Sequence, residues 1–151
     1  MWIDMYNSHV NQVGSRPAHV AFTLIETMHA VEMGLEKALE QVGLSLAKYG
    51  VISKLAEAGE PLNLSTLAER CSCVRSNMTQ LIDRLEDEGL VQRVADPQDR
   101  RAIRALLTPL GGQRHADGVR ALEGAEQDLL NRLKGPQQTT LLDMLRELRL
   151  A

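Results

Sequence analysis

Apolar residues recur in steps of three and four through the first third of the chain. Val20, Leu24, Met28, Val31, Leu35 and Leu39, widened by Ile25, outline one face of an amphipathic helix over about 18–41. Residues 1–17 carry no such period and end in Ser15-Arg16-Pro17, so a flexible N-terminal arm is expected there. Gly43 interrupts the pattern. A second helix is expected from Ser45 to Ala58, with Leu46, Tyr49, Ile52, Leu55 and Ala56 facing inward and Gly59 as its stop. Pro61-Leu-Asn-Leu64 is too short for a helix and reads as a lone strand, after which Ser65 is expected to cap a helix that packs Leu67 and Ala68.

The middle of the chain changes character twice. Met78, Leu81, Ile82 and Leu85 stand at i, i+3, i+4, i+7 and predict a helix over roughly 75–88, with Arg75, Ser76, Asn77, Thr79, Gln80 and Arg84 on its outer face. From Leu90 to Leu107 two apolar runs flank a polar, arginine-bearing segment, the pattern of a hairpin. Thr108-Pro109 places a hydroxyl cap before a proline at the first helical position. The helix it opens contains Gly111, Gly112, Gly118 and Gly124, and therefore needs tertiary or quaternary support, which the stripe Leu110, Val119, Leu122, Leu129 and Leu133 offers. Gly135-Pro136 punctuates, and a last helix to about Arg149 carries Leu141, Leu142, Leu145 and Leu148. The expected fold is mainly α with a small β-hairpin wing: one domain over 18–151, in which a central lobe, about 45–107, lies between helices at 18–41 and 108–150.

Composition refines this reading. Hydrophobic residues make up 44% of the chain but aromatic ones only 3%, so the core must be aliphatic. The net charge of −3 and a pI near 5.8 are not those of a generally basic nucleic-acid binder. The charges are segregated, however. Asp83, Glu86, Asp87 and Glu88 crowd the end of one helix, whereas Arg100, Arg101 and Arg104 gather at the hairpin. Such a chain would bind through a local patch, favouring specificity over loose backbone affinity. No apolar run approaches the ~18 residues of a membrane span, and the first residues lack a charged n-region followed by an apolar one. A cytoplasmic location without a membrane partner is expected. Two cysteines make no disulfide framework. The absence of a Gly-rich phosphate loop, a nucleophile elbow or a paired metal-ligand motif argues against an enzyme, a cofactor or a metal site.

A helix sized for the major groove followed by a basic β-ribbon is a winged helix-turn-helix. On that helix Asn77 and Gln80 can pair bidentately with adenine, while Ser76, Thr79 and Arg84 suit phosphates or thymine methyls and Arg75 extends the same face. Leucine stripes on both terminal segments suggest a homodimer, whose two reading helices would recognise a pseudo-palindromic operator in double-stranded DNA. Cys71 and Cys73 lack the partner ligands of a zinc site. They read either as small apolar packing residues or as a redox switch whose oxidation would disturb the turn before the reading helix. A competing class is a winged-helix protein-interaction module that does not read specific DNA.

The run Asp83-Arg-Leu-Glu-Asp-Glu-Gly-Leu-Val-Gln-Arg-Val-Ala-Asp-Pro-Gln-Asp-Arg-Arg101, continuing to Leu106-Leu-Thr-Pro-Leu-Gly111, resembles the MarR family of winged-helix transcription factors, and the likeness extends from about Val20 to Leu148. The resemblance implies a dimer joined through its N- and C-terminal helices and repression relieved by a small molecule or an oxidant. It implies that Asp99 orients Arg101 into the minor groove, with Arg100 on a phosphate or in the same groove. It places an effector crevice between the dimerisation helices and the DNA lobe, for which His19, Phe22, His29, Tyr49 and His115 are candidates. Both cysteines fall where the family usually has buried aliphatics. One departure stands out: Val74 occupies a position where the family often has a serine or threonine cap, leaving Ser72 or Ser76 to compensate.

Overall fold

Six helices and three short strands follow one another among the residues described by a computed structural model, 17–99 and 101–149, with side chains from Val20 onward. They are α1 (Pro17–Glu40), α2 (Leu46–Ala58), β1 (Leu62–Asn63), α3 (Leu64–Arg70), α4 (Arg75–Asp87), β2 (Val91–Ala95), β3 (Ile103–Leu107), α5 (Pro109–Leu130) and α6 (Gly135–Arg149). The expected N-terminal arm, apart from Pro17, lies outside the described residues. Two compact units divide at Gly34 and Leu35, within α1. In the first, Val20, Leu24, Ile25 and Met28 are exposed, Thr27 Oγ1 donates to the Thr23 carbonyl at 2.7 Å, and His29 Nδ1 lies 3.9 Å from Glu32.

The second unit holds an aliphatic core in which Leu39, Val51, Ile52, Leu55, Leu67, Met78, Ile82, Leu85 and Ala105 are sealed from solvent. Val51 joins it although the single inward stripe expected for α2 omitted it, and Leu46 and Ala56 are only half-buried. The reason is that α2 packs against α3, α4, α5 and β3. A helix surrounded on several sides buries more than one stripe. Ser45 caps it by accepting from the Lys48 amide at 3.2 Å.

The segment expected to be a lone strand is instead the third strand of a sheet. β1 pairs antiparallel with β3 (Leu62 opposite Ala105, Asn63 opposite Arg104), and β3 pairs with β2 from Val91 opposite Leu107 to Ala95 opposite Ile103, in the order β1-β3-β2. That pairing also moves the cap of α3. Asn63, held extended, accepts from the Thr66 amide at 2.7 Å, and Ser65 lies inside the first turn rather than at the cap.

Thr108 caps α5 as its sequence predicts, accepting from the Gly111 amide at 3.0 Å and donating to the Gly89 carbonyl at 2.7 Å. Two of the glycines behind it are matters of space. A Cβ on Gly111 would overlap the Leu90 carbonyl, and one on Gly118 would lie 2.7 Å from the Tyr49 ring. Gly112 and Gly124 face open space. Along the expected stripe of α5, Leu110 and Leu129 are exposed, while Val119, Leu122 and Leu133 are half-buried. On α6, Leu141, Leu142, Met144, Leu145 and Leu148 are all exposed.

Candidate nucleic-acid interface

Helix α4, the candidate reading helix, is aimed by the turn before it. At the end of α3 the Cys73 amide donates to the Ala68 carbonyl (2.9 Å) and the Ser72 amide to that of Glu69 (3.1 Å), the paired bonds of a Schellman stop. Its left-handed position belongs to Ser72, at φ 51°, whereas the equivalent turn after α4 has Gly89 at φ 72°. An L side chain costs about 1–2 kcal/mol in this conformation. Ser72→Gly is therefore expected to stabilise the lobe by about 1 kcal/mol, read as a higher urea midpoint; a midpoint at or below the parent's would show that the strain is not there.

Helix α4 then begins at Val74 with no side-chain cap, and neither Ser72 nor Ser76 takes that role. Its polar face is presented as the spacing predicts. Arg75, Ser76, Asn77, Thr79, Gln80 and Arg84 are exposed, while Met78, Ile82 and Leu85 are fully buried opposite them. The Thr79 hydroxyl is turned back onto its own helix, donating to the Arg75 carbonyl at 3.1 Å.

The far end of α4 is clamped from two directions. The Arg93 amide donates to Glu86 Oε1 at 2.9 Å, and its guanidinium bonds both Glu86 and Asp83. Lys48 on α2 pairs with Glu88. Three of the acids that crowd this helix are thus neutralised within the fold. Sequence reasoning missed Arg93, although its place on the strand following α4 brings it beside carboxylates spaced i, i+3. The Arg93 amide and guanidinium hold the Glu86 carboxyl below the usual carboxylate range.

At the wing, two aspartates build the turn between β2 and β3. Asp96 Oδ1 accepts from the Gln98 amide (2.8 Å) and Asp96 Oδ2 from Arg104 Nε (2.6 Å), which holds its carboxyl below the usual range as well. Arg104 is therefore committed at the base of the wing. Asp99 Oδ1 accepts the main-chain N–H of Arg101 at 2.9 Å, not its guanidinium. This carboxylate shapes the backbone that carries Arg101 and leaves the side chain exposed. Arg100 lies outside the described residues.

Because the folded pKa values of Glu86 and Asp96 are depressed, their stabilisation is complete above the unfolded carboxyl range, about 4, and is lost as pH falls through and below it. The urea midpoint is expected to fall between pH 6 and pH 3, and Glu86→Gln should make the fall shallower. An equal slope in parent and variant would remove Glu86 from the explanation.

The other candidate groups are placed as follows. Cys71 and Cys73 are free, half-buried and packed against the core cluster. Burial, and then the neighbouring Cys73, push the Cys71 thiol up, which leaves little thiolate at neutral pH. Tyr49 and His115 stack with ring centres 5.6 Å apart and planes 15° apart. Phe22 and His29 belong to the first unit, and the His19 side chain lies outside the described residues. Among the described residues no group of three or more His, Cys, Asp or Glu could hold a metal, and no helix is long and apolar enough to cross a membrane.

Fold and site together define a winged helix-turn-helix protein. A profile of the MarR family matches residues 44–103. A helix-turn-helix-type transcriptional repressor of Mycobacterium bovis is 30% identical over 111 residues, covering 74% of this chain and 79% of that one. A protein of Thauera aromatica described as a regulator for the hcr operon is 31% identical over 106 residues, covering 70% of this chain but only 63% of its own length. Among solved structures, a MarR family transcriptional regulator from Streptomyces coelicolor in complex with DNA is 27% identical with a TM-score of 0.75, 91% of each chain being covered. CouR from Rhodococcus jostii, bound to p-coumaroyl-CoA, is 26% identical with a TM-score of 0.70, over 85% of this chain and 90% of that one. The chain belongs to the MarR family of transcriptional regulators and is not an enzyme.

Proposed function

We propose that the protein is a cytoplasmic, homodimeric repressor that reads an inverted-repeat operator with α4 and the wing, and releases it on binding a small molecule. The observation that carries the reading is the division of α4. Six polar side chains are exposed on one side, and Met78, Ile82 and Leu85 are sealed into the core on the other, so the helix is held firmly while its reading face is open. Asn77 and Gln80 supply the amides that pair with adenine edges. Arg75, Ser76, Thr79 and Arg84 lie where phosphates and thymine methyls pass, and Arg101, with Arg100 beside it in sequence, enters the adjoining minor groove. That a regulator of the same family from Streptomyces coelicolor was solved in complex with DNA supports DNA as the partner.

Dimerisation through the terminal helices is supported by the exposed leucines of α6, with Leu148 61% exposed, and by the exposed apolar residues of α1, with Val20 69% exposed; an exposed apolar stripe along a helix marks an interaction site. Release by a small molecule is supported by the CouR complex, and the Tyr49–His115 stack offers an aromatic surface for such a ligand. The packing of Cys71 and Cys73 against the core cluster, with burial pushing the Cys71 thiol up, favours a packing role over a sensing one.

Selection from a random duplex pool, followed by sedimentation of the selected complex, tests the reading. The expected result is an inverted repeat with half-sites about one helical turn apart, bound by two copies of the chain. A pool that yields no preferred sequence would overturn it in favour of a protein-interaction module.

A further inference from the structure

Val74, the residue immediately before α4, carries an apolar side chain that serves neither as a cap nor as part of the core. The position before a helix favours Ser, Thr, Asp or Asn because their oxygens accept an otherwise unpaired amide, and valine is among the poorest choices there. The helix accordingly begins without a side-chain cap. Nor is Val74 held by packing. Its neighbour Cys73 and the later Met78 both join the core cluster, as the apolar residues flanking a helix start commonly do, but Val74 is 62% exposed and stands apart from that cluster.

Its backbone is nonetheless fixed. The Cys73 amide is bonded back to Ala68, and the Val74 carbonyl accepts from the Met78 amide at 3.1 Å. A β-branched side chain has restricted freedom at χ1. The molecule thus holds a stiff apolar group at the leading end of α4, beside the exposed Arg75, Ser76 and Asn77. That end of a reading helix is the one that meets base edges. The major groove displays one apolar group that distinguishes a base, the C5 methyl of thymine.

We propose that Val74 is a specificity-determining residue that packs its isopropyl group against the C5 methyl of a thymine in each half-site. The inference rests on the reading of α4 as the DNA-contacting helix. Burial of one methyl corresponds to about a fourfold change in affinity.

The test uses the full chain and the selected operator, with each thymine replaced in turn by deoxyuridine, which removes the methyl and nothing else. The parent is expected to lose affinity about fourfold per methyl at one thymine of each half-site. Val74→Ser should be indifferent at that position and unchanged at the others, with a thermal midpoint at or above the parent's because serine restores the cap. Val74→Thr, which keeps one branch methyl, should retain part of the discrimination. A specific operator on which parent and Val74→Ser give the same deoxyuridine profile overturns the assignment of Val74 alone. Failure to select any operator overturns the reading of α4, and this inference with it.

Discussion

Gly111→Ala is expected to destabilise the fold by about 3 kcal/mol or more, at the upper end of what overpacking costs. The added Cβ would overlap the Leu90 main-chain carbonyl and lie 2.7 Å from Leu107 Cδ1. A side chain could rotate away, but Leu90 cannot easily move. Its amide donates to the Leu85 carbonyl at 2.9 Å, and its own carbonyl accepts from the Thr108 amide at 3.1 Å. Shifting it would break the junction that joins the end of α4, the start of β2 and the cap of α5. The adjacent Gly112→Ala is the internal control. It meets open space and should stabilise the helix by up to ~1 kcal/mol. Gly118→Ala should fall between them, since the obstacle there is the Tyr49 ring. Urea midpoints of the three variants decide the matter, and equal midpoints for Gly111→Ala and Gly112→Ala would contradict the packing described.

Arg101→Ala should leave folding intact and weaken operator binding on the order of 100-fold, which corresponds to about 1.4 kcal/mol for each of two wings. The side chain is exposed, and the turn that carries it is built by the Asp96 and Asp99 carboxylates acting on main-chain amides, so its removal takes nothing from the fold. A guanidinium in a narrow minor groove meets focused negative potential, which is why so exposed a residue is expected to have a large effect on binding. Competition titrations of parent and variant on one duplex, with thermal midpoints as a control, measure it. Equal affinity would remove Arg101 from the groove.

What the sequence shows plainly is whatever depends on near neighbours. Met78, Ile82 and Leu85 are buried where their helical spacing placed them, and Thr108-Pro109 starts α5 because a cap and an N-terminal proline act within one turn. The wing was legible from two apolar runs around a polar tip. What it conceals depends on partners far along the chain. Asn63 and Ser65 both suit a cap, and only the pairing of β1 with β3 selects Asn63. Gly111 reads as a propensity cost until Leu90 is seen against it. The Arg93 clamp and the Asp99 bond to a main-chain amide are choices of partner that residue types alone leave open.

Specific recognition of DNA by α4 and the wing is tested most directly by fluorescence anisotropy of the purified chain on its selected duplex against a scrambled duplex of the same composition, at low and moderate salt. Binding to the selected duplex at least ~10³-fold tighter than to the scrambled one, with a ratio that persists as salt rises, is the predicted result. Equal affinities that collapse together with added salt would mean that only the phosphate backbone is being felt, and would contradict it.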